Sequence, residues 1–206
     1  MTHTLHRKGS KDSLTRDYVF LCMAAKGINE DGADDKMRKF LRIVMRHNAV
    51  NAGDMRTGNI ITTGIDEIID KVTSTSIVHG VFVDLATVSA VMKDLKEADL
   101  GLSVVVSGLF QSVEEAYRKA GIIPHSRNYS AGIWGKTEKL PKPEILEITT
   151  MCGHAMISPY LVEDIIKRIR FGRITTKEGS IEIGKGCCCG IYNPNRAEEL
   201  LEKLVQ

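Results

Sequence analysis

The chain has 206 residues, 43% of them hydrophobic, which is enough for one large domain or two small ones around a real core. Lys and Arg number 28 against 26 Asp and Glu, and only 5% of residues are aromatic, so neither the basic stripe nor the stacking surface of a nucleic-acid binder is expected. No apolar run is long enough to span a membrane and the N-terminus has no signal-peptide core. A soluble, cytoplasmic protein is therefore expected, with reduced cysteines that point to metal binding or catalysis rather than disulfides.

Residues 1–16 are polar and basic. His6-Arg7-Lys8-Gly9 has the composition of an anion site, but a solvated tail or an edge strand is the expected reading. Tyr18 to Ala25 is a continuous apolar run, the pattern of a buried strand, with Cys22 as a packing residue. Lys26 and Asn29 follow on a loop. Asp31, Asp34 and Asp35 open a helix where the macrodipole favours acids, and Met37, Phe40, Leu41, Val44 and Met45 form its apolar face. The stretch 49–59, rich in Gly and Asn, reads as a loop carrying Asp54, Arg56 and Asn59, for which turn chemistry is a sufficient reason. A short strand at 60–61 and a short helix over 63–72 come next.

The most regular segment lies between residues 77 and 121. A strand over 77–83, a helix over 85–98 and a strand over 102–106 predict a right-handed βαβ unit at about 77–107 with its two strands parallel. His79, inside the first strand, reads as a core or sheet-face residue. Ser112 to Glu115 is a capping box for a helix that stops at Gly121. Residues 124–144 turn polar, and His125, Arg127, Asn128 and Tyr129 suit one extended strand. Pro141 and Pro143 mark a domain edge. Residues 145–150 alternate and deliver the chain to Cys152.

The pattern predicts an α/β or α+β body around a mixed sheet over 1–144 and a C-terminal Cys/His module with two helices over 145–206. Two topologies fit the body. One is a parallel doubly wound sheet. The other is a ferredoxin-like βαββαβ core with strands near 18–25, 58–62, 77–83 and 102–107, against which the helix at 65–72 counts. No glycine-rich nucleotide fingerprint is present.

The C-terminal third carries the chemistry. Cys152-Gly153-His154 is followed after three residues by Ser158-Pro159, and Cys187-Cys188-Cys189 is followed after three residues by Asn193-Pro194. Each passage sets two metal-binding side chains two residues apart, then a favoured N-cap with Pro at the first helical position. Cys152, His154, Cys187 and Cys189 form a Cys3His set suited to zinc, and three thiolates equally suit an iron–sulfur cluster. In an extended backbone the middle residue points away, so Cys188 is expected outside the site, as a spare or alternative ligand.

Two functions follow. The first is a metal-dependent enzyme acting on a small-molecule metabolite, with Lys26, Asp54, Arg56, His125 and Arg127 as candidate catalytic residues and Asn29, Asn59 and Asn128 beside them. The second is a non-catalytic, metal-stapled module that binds another protein. A small-molecule ligand and self-association are compatible with either, whereas a nucleic acid or a membrane as partner is not expected.

Overall fold

The computed structural model describes residues 4–206; residues 1–3 of the polar N-terminal stretch lie outside the description. A four-residue helix, α1 (Lys11–Leu14), precedes strand β1 (Tyr18–Met23) and helix α2 (Ala33–Arg46). A hairpin of β2 (Asn51–Asp54) and β3 (Gly58–Asn59) leads to α3 (Ile65–Asp70), β4 (Ile77–Phe82), α4 (Leu85–Ala98), β5 (Ser103–Ser107) and α5 (Phe110–Ala120). An irregular stretch with one 3-10 turn (Thr137–Lys139) then gives way to α6 (Pro143–Thr149), α7 (Pro159–Arg170), α8 (Thr176–Gly184) and α9 (Pro194–Val205).

The strands form one sheet in the order β3-β2-β4-β1-β5, and every neighbouring pair is antiparallel. This corrects the expected mixed sheet. β4 and β5 both run opposite to β1, so they share a direction, but β1 lies between them and the α4 crossover skips a strand. Leaving β3 aside, the order β2-β4-β1-β5 with α2 and α4 as crossovers is the βαββαβ arrangement rather than the doubly wound one. The helix α3 sits in the connection after the added edge strand β3 and leaves the pattern intact.

Helices cover both faces, which is why β1 reads as an unbroken apolar run. Tyr18, Phe20 and Cys22 face a core shared with α2, α3, α4 and α5. Phe20 meets Phe82 edge to face at 5.4 Å, and a Cβ on Gly80 would stand 3.0 Å from Val44 Cβ, so glycine lets α2 lie close on β4. On the other face Val19 and Val81 join a second core built from α6, α7, α8 and α9. His79 is buried in β4 on this face, as expected of a sheet-face residue.

Four local expectations are corrected. The stretch 49–59 holds β2 and β3 rather than a loop. Residues 143–149 are helical, started by Pro143 in the first turn. Four helices among the described residues, α6 to α9, occupy the C-terminal stretch where two were expected, one of the added helices being α8, which forms behind a capping box between Thr175 and Glu178. His125 to Tyr129 form no strand, and lie in irregular, exposed chain.

Candidate metal centre

The two matched passages are the turns that precede α7 and α9. Asn193 caps α9 by accepting from Arg196 N, and Ser158 occupies the cap of α7 without a side-chain bond. The cysteine triplet leaves α8 through a tight turn, in which Cys187 N donates to Gly184 O at 3.1 Å. This loop lies directly on the β2–β3 hairpin. A Cβ on Gly53 would stand 2.8 Å from the Cys189 carbonyl oxygen, and one on Gly190 would stand 2.6 Å from the Gly53 nitrogen. Gly190 also has φ +80, which L side chains resist. Asn59 Nδ2 donates to the carbonyls of Cys187 and Gly184, and Asn51 Nδ2 donates to Tyr192 O at 2.8 Å. The composition of β2 and β3, Asn-Ala-Gly-Asp and Gly-Asn, thus serves as a dock: glycines admit the loop and asparagines satisfy its buried carbonyls, which would otherwise cost about 1–3 kcal/mol each. In the sequence Gly53 and Asn51 read only as turn formers, and Asn59 read as a turn residue or a polar group beside a catalytic site, not as a dock for the cysteine loop.

The side chains converge. His154, Cys188 and Cys189 place their ligand atoms within 4.8 Å of one another, and His154 Nδ1 is 3.6 Å from Cys189 Sγ. Around a tetrahedral zinc with bonds of about 2.0–2.3 Å, donors stand about 3.3–3.8 Å apart. This His/Cys group can therefore hold a metal. Cys187 touches Cys152 on one side and Cys189 on the other, so the five donors form one continuous cluster. Residues 188–189 are in a turn, not an extended segment, and the alternation argument does not apply there. Cys188 consequently stands with Cys189 and His154, while Cys152 lies outside that group, in contact with Cys187.

Contacts between the sulfurs, together with burial, raise the pKa of both inner thiols. The Cys152 thiol is raised far above its ordinary value by hydrogen bonding to Cys187 and by burial. For Cys187 the contact with Cys152 lowers the pKa, but the contact with Cys189 and burial outweigh it and push it up to about 11. A divalent ion would supply the charge that makes thiolates favourable.

Beneath the loops lies a buried ionic network. Asp17 accepts from Arg7, from Arg196 Nη1 at 2.8 Å and from Asn193 Nδ2 at 3.1 Å. Arg7 also donates to the carbonyls of Met151 and Ile191, which flank the two cysteine turns. The expected solvated tail is corrected at Arg7, whose side chain is 7% exposed, while His6, Lys8 and residues 10–12 are exposed; Arg7 ties Asp17, just before β1, to the carbonyls of Met151 and Ile191.

The candidate catalytic residues do not converge. Lys26 is exposed in the turn after β1, and Arg56 is exposed at the tip of the β2–β3 hairpin. Asp54, the last residue of β2, is buried and accepts from Arg56 N at 3.3 Å and Ser76 Oγ at 2.7 Å. Asn29 accepts from Ala25 N and donates to Gly101 O. His125, Arg127 and Asn128 instead line one cavity beside β5. Comparison with known proteins adds no relative: no family model, curated protein or solved structure matches the chain.

Proposed function

We propose that this chain is a metal protein whose ion is held by His154, Cys188 and Cys189, with Cys187 and Cys152 beside them. The observation that carries the reading is the mutual approach of His154, Cys188 and Cys189 to within 4.8 Å. That spacing suits a single ion, and zinc is the ion for a Cys/His set of this kind. Cys187, which contacts Cys152 and Cys189, stands beside the group, so three protein donors leave a fourth position for water or substrate. His154 and Cys188 are only half-buried, so one flank of the centre faces solvent. An open flank favours an enzyme acting on a small molecule over a sealed staple, because a catalytic zinc keeps a position for water or substrate.

Anaerobic purification followed by metal analysis and visible absorption tests the proposal. A colourless protein with zinc near one equivalent is the expected result. A brown protein with iron and sulfide would replace zinc by an iron–sulfur cluster in the same residues. Metal-free protein from anaerobic cells would refute the metal reading. A chelator that unfolds α6–α9 cooperatively, with no pocket ligand ever bound, would favour the staple.

A further inference from the structure

β5 is an edge of the sheet, with β1 on one side and no strand on the other among the described residues. The phase of the ladder fixes which of its backbone groups are left over. Met55 N donates to Ile77 O, so in the β2–β4 pair Ile77, His79 and Val81 turn their N–H and C=O groups toward β2. The groups alternate along a strand, so Val78, Gly80 and Phe82 serve β1, and Val19, Leu21 and Met23 serve β5. Their partners are Ser107, Val105 and Ser103. Val104 and Val106 therefore point N–H and C=O out of the sheet, and no backbone hydrogen bond from another described segment reaches them.

A cavity of about 420 Å³ runs along these groups, a volume within the range of binding sites. Six consecutive residues, Ser103 to Gly108, line it. Side chains on a strand alternate between faces, so an unbroken run places the cavity along the backbone edge. On the α5 side its wall is Val113, Tyr117 and Ile122, which pack with Val104 and Val106 on the apolar core. The edge has none of the devices that blunt a free strand: Ser103 to Ser107 contains no charge and no proline, and its register on β1 is unbroken. The opposite edge, β3, is two residues long and its Asn59 is bonded to the cysteine loop. Both acids in the cavity lining are paired, Glu114 with Arg127 at 2.8 Å and Asp17 with Arg7. A charged occupant would break such a pair or face an unmatched charge, whereas an uncharged one complements a balanced wall.

We propose that β5 takes up an extended, uncharged peptide segment of a partner as a further antiparallel strand. Two residues of the segment, one position apart, exchange backbone bonds with Val104 and Val106. Their side chains lie on the α5 face beside Val113 and Tyr117, where β-branched apolar groups fit. The residue between them stands opposite Val105, on the face where Ser107 Oγ is 2.7 Å from Thr4 Oγ1, and a small polar group fits there. The segment thus reads Val-Thr-Val in type. This inference goes beyond the metal reading and does not rest on it, since no residue of β5 or α5 belongs to the metal group.

The test uses the full chain and the blocked peptide acetyl-Thr-Val-Thr-Val-Thr-amide, with the same peptide N-methylated on both valines as control. Saturable binding of the first is expected, weakened about tenfold or more by N-methylation, which removes the two donors. The bound peptide should slow hydrogen exchange about tenfold or more at Val104 and Val106 and leave Val105, already paired with Leu21, at its own rate. Val106→Pro deletes an N–H that the ladder does not use, so the fold should hold while the peptide weakens about tenfold. The alternating exchange pattern in the wild-type protein keeps the test decisive should that variant fold poorly. Equal binding of the N-methylated peptide, or exchange at Val104 and Val106 unchanged by the peptide, would overturn the inference. A dimer of the chain in which these two amides are already protected would also overturn it, because a second copy would then hold the edge. Each of these results leaves the metal proposal standing, and a metal-free protein that binds the peptide would do the reverse.

Discussion

The two faces of the sheet are built on opposite principles. Under α2, α4 and α5 the core is apolar, and its one cysteine, Cys22, is a packing residue whose thiol burial pushes up to about 12. Under α6–α9 the core is laced with buried polar groups: Asn51, Asn59, Asn193, Asp17, Arg196 and the cysteine cluster. Each face carries a core of buried side chains, so the difference lies in what the second face must hold. An apolar face needs only shape, whereas a loop that presents donors needs each carbonyl answered and each close backbone approach cleared of side chains. A cysteine's neighbours, rather than its burial, separate a structural thiol from a candidate ligand.

Breaking the second face should cost more than breaking the first. The largest effect is expected from Asp17→Asn, which leaves Arg7 and Arg196 without their shared carboxylate; denaturant unfolding should show a loss of about 3–5 kcal/mol. Gly190→Ala meets the backbone of Ala52 and Gly53 at 2.6 Å and should cost about 3 kcal/mol or more, with loss of metal. Gly27→Ala, at a similar φ but with open space around it, should cost only about 1 kcal/mol, and equal costs would show that conformation rather than docking sets the Gly190 requirement. Asn59→Ala removes a donor from the Cys187 carbonyl, while Gly184 O keeps its bond from Cys187 N, and should cost about 1–3 kcal/mol while weakening metal binding. The smallest effect is expected on the apolar face. Cys22→Ala should cost about 1 kcal/mol by thermal melt and leave metal content unchanged. In the folded protein Cys22 should also resist iodoacetamide at pH 8, because its raised pKa keeps it a thiol.

What the sequence made legible follows the same division. β1, α2, β4, α4 and β5 were readable because each follows the periodicity of an apolar core. The starts of α7 and α9 were readable because Ser158-Pro159 and Asn193-Pro194 are local signals that need no partner. β2 and β3 were not, since Asn-Ala-Gly-Asp is selected for docking a loop and carries no strand pattern. α8 hid for a related reason. Gly179 lies 2.7 Å, as a Cβ would, from Ile165 Cγ2, and Gly184 equally close to Ile61, so close packing put glycines where a helix signal was sought. The cluster itself was legible as a Cys/His pattern. The place of Cys188 in it was not, because the turn at 188–189 depends on the Gly53–Gly190 contact, which no local spacing encodes. Nor could spacing show that His125, Arg127 and Asn128 share a cavity with Arg7 while Lys26, Asp54 and Arg56 stand apart.

The most direct measurement compares one residue type in the two places. Cys188→Ser and Cys22→Ser are purified anaerobically beside the wild type, and metal per folded chain is determined for each. The account predicts about one ion in the wild type and in Cys22→Ser, and a loss of most of it in Cys188→Ser with the helical signal retained. Full metal in Cys188→Ser would contradict the assignment of Cys188 as a ligand, and equal loss in both variants would contradict the distinction between the two faces.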